Sequence, residues 1–523
     1  MRKSVRPFLA SCCVLATIFT LTTCKRSEPP APGPRYEGPL QFVLDASRNA
    51  TLSQHIQLFQ YSDGAVRGLI PAGENLPDSL TLTFKVPYDH QLWIGDSLYT
   101  ADTLAIAPNT VVHCTVIDAD STASDYQVAV YPDAGIPVCW IETDGRQPIV
   151  SKDDYINATL RVDPGTGYEQ ENRLIETEIR GRGNSTWGMP KKPYRMKFHD
   201  KEGVLGLGAT KNWVLLANYA DKTLLRNYVA FELGNQLIAG FTPRTRFVEV
   251  YLNGQYEGVY HLTDQIRVEG DRVAIDELDE DEVDEETITG GYLLEIDERL
   301  DADRWFHSDV MRFPFTFKSP EEPNDAQFDY ITAYIAEVEA IITDPDIGGR
   351  SADYEALIDV PSFVNFYIIS ELVRNNDTGG GGLSIYMHKP RGGKLAMGPL
   401  WDFDIAMGNI NYNGNEAPEG WWIKTGNRWY EALFNDPKFV QAVKARWQEV
   451  APSLRDSLLA TIDAAAFGTL RVAQQRNFER WDILNEWVWP NHAVLGSYEA
   501  EVNYLKEWLT TRIAWMDAEI DGW

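Results

Sequence analysis

The chain has 523 residues, 44% hydrophobic and 12% aromatic, with a formal net charge of −30 at pH 7. That length exceeds the roughly 250–300 residues at which one hydrophobic core usually splits, so two or more domains are expected. The acidic balance excludes nucleic acid as a partner, since tracking a phosphate backbone needs clustered Lys and Arg, but it leaves room for a basic pocket that takes a nucleotide.

Arg2, Lys3 and Arg6 precede an apolar stretch over residues 8–21, too short to span a bilayer comfortably. This is the pattern of an export signal. Leu21-Thr22-Thr23-Cys24 resembles a bacterial lipobox, with Thr23 departing from the usual Gly, Ala or Ser. Residues 1–23 are therefore expected to be removed and Cys24 lipidated. The protein is then tied to the cell envelope, at the outer membrane of a Gram-negative bacterium, facing either side. Residues 24–37, rich in Pro and charge, read as a tether. Over residues 38–132 short alternating strands recur, such as Leu80, Leu82, Phe84 and Val86, and predict a small immunoglobulin-like β-sandwich. Cys114 and Cys139 are either a disulfide, in an oxidising compartment, or two buried small hydrophobes. The scattered His and Cys residues lack zinc-site spacing.

From residue 136 the character changes, and a second unit is predicted over 136–523. Strands over 138–142 and 175–180 lead to the turn Gly181-Arg182-Gly183-Asn184-Ser185, and a basic strand follows over 194–198. Alternation places Arg195 and Lys197 on one face of that strand. A helix is expected over 221–238 with Asp221 as its N-cap. Asn253-Gly254 between apolar strands predicts a hairpin. The acidic run 276–286 reads as a solvated loop. Helical periodicity returns at Phe328, Ile331, Ile335, Val338 and Ile342. The apolar stretch 361–373 then ends in Asn375-Asn376-Asp377, a short hairpin follows, and Trp401-Asp402-Phe403-Asp404 closes it. Because a hairpin reverses the chain, Asp377 and Asp402 can reach one end of the structure. Two converging carboxylates suit Mg²⁺ coordination plus orientation of an attacking hydroxyl, though acids also simply cap Gly-rich loops. Trp421, Trp422 and Trp429 are a glycan platform or core, and the chain after residue 430 is mainly helical.

Arg180-Gly181-Arg182-Gly183-Asn184-Ser185-Thr186-Trp187, Lys191-Lys192-Pro193-Tyr194-Arg195-Met196-Lys197-Phe198, Gly290-Gly291-Tyr292-Leu293-Leu294-Glu295-Ile296-Asp297 and Trp401-Asp402-Phe403-Asp404 together resemble the CotH (spore coat protein H) kinase family over roughly residues 136–520. The resemblance implies an α+β fold, an atypical bilobal kinase-like domain. It also implies transfer of the ATP γ-phosphate, with Mg²⁺ or Mn²⁺, to Ser or Thr of extracytoplasmic proteins. Asp377 matches the catalytic Asp and Asp402 the metal-binding Asp. Asp404 is a second carboxylate for the metal or for backbone hydrogen bonds. Ser384 stands where family members often carry Asn, which puts a second metal contact in doubt. Arg182, Gly183, Asn184 and Ser185 cradle phosphates or form a tight turn. Lys192, Arg195 and Lys197 are candidate phosphate cations, and Glu232 is an ion-pair partner or a surface Glu. Thr263-Asp264-Gln265 stands where a hinge would hold adenine. The rival reading is a kinase-fold lipoprotein that binds glycans or host and matrix proteins without catalysis.

Overall fold

The computed structural model describes residues 36–523 except 61–63, 72–76, 166, 172, 239, 301 and 381. The export signal, Cys24 and nearly all of the tether thus lie outside the described residues. No helix among the described residues is long and apolar enough to cross a membrane.

The chain is a mixed α+β protein. Its N-terminal part packs two sheets face to face. One contains Gln41–Leu44, Leu80–Lys85 and Thr103–Ile106, the other Ala65–Pro71, Ala123–Asp133, Val111–Ile117 and Gln91–Ile94. Ala65–Pro71 runs parallel to Ala123–Asp133, with Val66 opposite Val128, and the remaining pairs are antiparallel. Strand alternation sends Phe42, Leu44, Leu82 and Phe84 from one sheet against Val66, Val116, Val128 and Val130 of the other.

Strands Val138–Thr143, Ile156–Asp163, Ile175–Gly181, Tyr194–Glu202, Thr210–Leu216, Gln255–Asp264 and Thr245–Leu252 then close into a barrel. Closure comes from parallel pairing of Val138 with Glu249 and its successors. Tyr194, Met196 and Phe198 fill the interior with Trp213 and Tyr260, so Arg195 and Lys197 face outward. The Asn253-Gly254 turn takes the left-handed backbone (φ 52° and 80°) that a two-residue hairpin loop requires. Outside the barrel, helix Arg226–Leu237 and a five-stranded sheet built around Tyr292–Ile296 and Ile385–Lys389 share one large core with helices Asp325–Ile342, Val360–Leu372, Pro437–Asp463 and Tyr498–Asp521. Val214, Leu216 and Phe247 on the barrel exterior join that core. The sandwich meets the barrel at Tyr131, Trp140 and Tyr251, where Trp140 stacks on Tyr251 with ring centroids 4.3 Å apart.

Three expectations are corrected here. Cys114 and Cys139 are not disulfide-bonded; both are free and buried, one in the sandwich core and one in the barrel core. Burial pushes both thiols up to about 12, so they remain protonated small hydrophobes. The helix expected from 221 begins only at Arg226, because Leu224 takes a left-handed φ of 62° that no helix interior admits. Asp221 nevertheless accepts from the Arg226 N–H at 2.8 Å and pairs with its guanidinium at 2.6 Å, both side chains fully buried. Trp421, Trp422 and Trp429 pack into or against the large core, so the glycan-platform alternative falls.

Candidate active site

Helix Val360–Leu372 is started by Asp359, which accepts from the Ser362 N–H at 2.8 Å. It stops where Arg374 turns left-handed (φ 46°), releasing Asn375-Asn376-Asp377. Two contacts shape this loop. The Trp422 indole N–H donates to the Asn375 carbonyl at 3.0 Å, and the same ring lies against Gly379, where a Cβ would collide with it. Strands Ile385–Lys389 and Ala396–Met397 then return the chain to Trp401. Trp401 and Phe403 pack on Phe231, and the Phe403 N–H donates to Asn227 at 2.8 Å. Between them Asp402, at φ 64°, is left half-buried.

The carboxylates lie within electrostatic reach of one another. Burial, and then the Asp402 charge, push Asp377 up to about 7, with the Asn376 side chain opposing. Asp404 is driven well above the carboxylate range by burial and by Asp402, Asp377 and Asp221. The Ser384 hydroxyl stands 3.5 Å from Asp402 Oδ2, a marginal hydrogen bond.

One arginine at the end of a barrel strand, Arg182, opposes these acids. Arg182 leaves the glycine turn and lies over the Trp401 ring, 5.4 Å from its centroid. Burial pushes its guanidinium down, and the charges of Asp402 and Asp404 act against that. Arg195 faces its cross-strand partner Arg180. Burial lowers Arg195, and Arg180, Arg267 and Arg182 press it the same way. Among the described residues none of these four arginines forms an ion pair, and the buried Nε atoms of Arg180 and Arg195 have no acceptor. Arg180 donates to the Asp153 carbonyl at 3.1 Å and Arg195 to Asn212 at 3.4 Å, neutral acceptors that leave their charge uncompensated and suited to an external anion.

Other expected residues do not gather there. Lys192 donates to the Trp187 carbonyl at 2.6 Å and lies over that ring, fastening the turn. Asn184 is exposed and accepts from Lys152 at 2.9 Å. Gly183 supplies the turn's left-handed φ of 79°, and Ser185 beside it is exposed. Lys197 is exposed further along the strand. Glu232 accepts from Asn235 at 3.3 Å and meets no cation of the cluster. Asp264 is fully buried and ion-paired with Arg244 (2.8 Å) and Arg272 (2.5 Å), a structural anchor unavailable to a ligand. Thr263 is buried in the barrel wall opposite Val214. Of that triplet only Gln265 presents a polar atom, Oε1, without a partner.

The sequence reading missed Arg180 and Arg267, although Arg180 has the same outward parity as Arg195. It also missed Glu295, which pairs with Lys318 at 2.7 Å and bonds the Tyr386 hydroxyl beside Arg182. Only strand pairing brings these together.

Among the described residues no group of three or more His, Cys, Asp or Glu is close enough to hold a metal unaided. The donors here are nonetheless all oxygen, and Asp377 and Asp404 are half-buried carboxylates crowded by like charge. A hard divalent cation would relieve that repulsion, taking its other ligands from phosphate and water as Mg²⁺ does.

The fold and site thus define an α+β protein with a half-buried acidic centre faced by Arg182. A family model described as CotH kinase protein matches residues 179–516, well over half of the chain, and the chain belongs to that CotH kinase family. The match starts inside the strand Ile175–Gly181 and takes in the four arginines and the three carboxylates. A search of curated proteins gave no match.

Proposed function

We propose that this chain is a bilobal, kinase-like phosphotransferase that moves the γ-phosphate of ATP, with Mg²⁺ or Mn²⁺, to Ser or Thr hydroxyls of extracytoplasmic proteins. The barrel serves as the nucleotide lobe and the helical part as the acceptor lobe. An immunoglobulin-like sandwich and a lipid on Cys24 space the enzyme from the envelope membrane. The observation that carries this reading is Arg182, which lies over the Trp401 ring within electrostatic reach of Asp402 and Asp404 on one side and of Arg195 on the other.

In such a transfer the protein does little covalent chemistry; it positions groups and stabilises charge. Arg182 and Arg195 neutralise phosphate oxygens. Asp402, with Ser384 and Asp404 near it, would hold the metal, whose charge would offset that of the phosphates. Asp377 orients the acceptor hydroxyl and accepts its proton as the oxygen–phosphorus bond forms and ADP departs. Gln265 Oε1, buried and unsatisfied two residues before Arg267, is the candidate contact for the base.

Calorimetry with ATP and either metal, alongside transfer of labelled phosphate to a casein-like acceptor, tests the proposal. Metal-dependent binding and labelled acceptor are expected. Wild-type protein that binds no ATP with either Mg²⁺ or Mn²⁺ would remove the support for phosphotransfer.

A further inference from the structure

Glu232, the residue through which helix Arg226–Leu237 is expected to serve the site, bonds Asn235 instead. The helix reaches the carboxylates through its first turn. Asn227 Oδ1 accepts the Phe403 N–H at 2.8 Å, from the residue that stands between Asp402 and Asp404. Its Nδ2 donates to Asn218 Oδ1 at 3.1 Å, so both ends of the amide are held. Arg226 grips the same loop further on. Its Nε donates to the Ala406 carbonyl at 3.1 Å and Nη2 to the Met407 carbonyl at 3.4 Å, while Asp221 accepts from Nη1 at 2.6 Å. Asn218, Arg226, Asn227 and Phe403 are all buried, where a lost partner is not replaced by solvent. One helical turn beyond Asn227, Phe231 packs on Trp401 and Phe403, with centroids 6.1 and 6.5 Å away. The other side of the loop is tied to the helix that leads to Asp377, since the Met407 N–H donates to the Val373 carbonyl at 2.8 Å.

Asp402 takes a left-handed φ of 64°, which a residue other than Gly keeps only where its surroundings over-determine it. The Phe403 N–H belongs to the peptide that follows Asp402. The acceptor that holds it therefore also fixes the backbone from which the Asp402 carboxylate projects. We propose that Asn227 is a positioning residue of the transfer, its amide oxygen setting the Asp402 carboxylate for the divalent metal of the ATP complex. Without that oxygen the Phe403 N–H is buried and unsatisfied. The Asp402–Phe403 peptide then turns towards another acceptor, and the carboxylate turns with it. Only an amide meets both demands at this place, an oxygen for Phe403 and an N–H for Asn218. This assignment rests on the phosphotransfer reading and adds a residue to its metal site.

The test measures affinity for Mn²⁺-ATP by calorimetry, the electron paramagnetic resonance of the bound Mn²⁺ and the urea midpoint. It compares wild type with Asn227→Leu, Asn227→Asp, Asp402→Ala and the double variant Asn227→Leu/Asp402→Ala. Asn227→Leu should weaken binding about 10- to 100-fold and alter the Mn²⁺ spectrum, as loss of a group that orients a metal ligand does. Asn227→Asp keeps an oxygen for the Phe403 N–H and should restore most of the affinity. On the Asp402→Ala background, Asn227→Leu should lower affinity no further, because the carboxylate it positions is gone. Unchanged affinity in a folded Asn227→Leu protein, no recovery in Asn227→Asp, or an equal further loss on the Asp402→Ala background overturns the positioning role and leaves phosphotransfer standing. Absence of ATP binding in wild type with either Mg²⁺ or Mn²⁺ overturns both. If Asn227→Leu does not fold, Asn218→Gly carries the comparison. Gly suits the φ of 48° at that position and removes the partner of the Asn227 amide. A smaller loss in the same direction is then expected, and unchanged affinity overturns the role.

Discussion

Asp377 and Asp402 carry the same side chain into different surroundings, and their substitutions should separate. Asp402→Ala removes a metal carboxylate, so metal-dependent ATP affinity and turnover should fall together. Asp377→Ala should keep much of the affinity and lower turnover by roughly 10²–10⁴, because its contact with the acceptor hydroxyl matters most in the transition state. Calorimetry beside single-turnover transfer checks the split; equal losses of affinity in both variants would contradict it. His261 gives a second test at this scale. It is buried against Phe247 (4.4 Å between centroids), and burial lowers its imidazole from 6.5 to about 4. The folded state thus binds fewer protons than the unfolded state, so the stability it contributes is full above pH 6.5 and is lost as pH falls towards 4. At about 1.4 kcal/mol per unit this amounts to about 3 kcal/mol. Urea unfolding of wild type and His261→Leu at pH 7.5 and 4.5 should show the variant losing less stability on acidification, by an amount of that order.

At the scale of elements, the loop bearing Asp377 depends on a helix more than a hundred residues away in sequence. Arg512, on helix Tyr498–Asp521, donates to the Glu371 carboxylate and carbonyl, both at 2.7 Å, and to the Gly420 carbonyl at 2.7 Å. Glu371 in turn accepts the N–H groups of Trp422, Ile423 and Lys424 at 2.8–2.9 Å. Both charged side chains are fully buried. Removing one partner strands the other, so Arg512→Met should cost about 3–5 kcal/mol. Chemical denaturation would show it as a lower midpoint. A midpoint within error of wild type would mean that Glu371 is held by its backbone donors alone.

For the whole molecule, the sandwich and barrel meet through a small aromatic cluster, and Arg476 reaches across to Tyr251 at 2.7 Å and to the Pro132 carbonyl. A protein beginning at Gly135 should still bind ATP, since the barrel closes on its own strands and the arginines lie on those strands or just beyond them. It should melt at a lower temperature, having lost Tyr131 from the face of Trp140 and Tyr251. Loss of nucleotide binding in a folded truncation would show that the sandwich completes the cleft. With Cys114 and Cys139 both free, no disulfide limits where the chain is cut. Cys24→Ala should move the protein from the membrane to the soluble fraction, and a variant fully retained on membranes would refute lipid anchoring.

Local pattern and motif letters were enough to read the α+β character, the alternating strands, the Asn253-Gly254 hairpin, the helix at Asp325–Ile342 and the family itself. Each depends on neighbours within a few residues, where propensity and periodicity act directly. The two free thiols, the burial of Asp264 between Arg244 and Arg272, the proximity of Arg180, Arg182 and Arg267 to Arg195, and that of Arg182 to Asp402 and Asp404 came only with the tertiary structure. Sequence gives a polar residue's type and its side of a strand. Which charges it meets depends on barrel closure and on the packing of helix Arg226–Leu237 and the central sheet, contacts made between residues far apart in the chain.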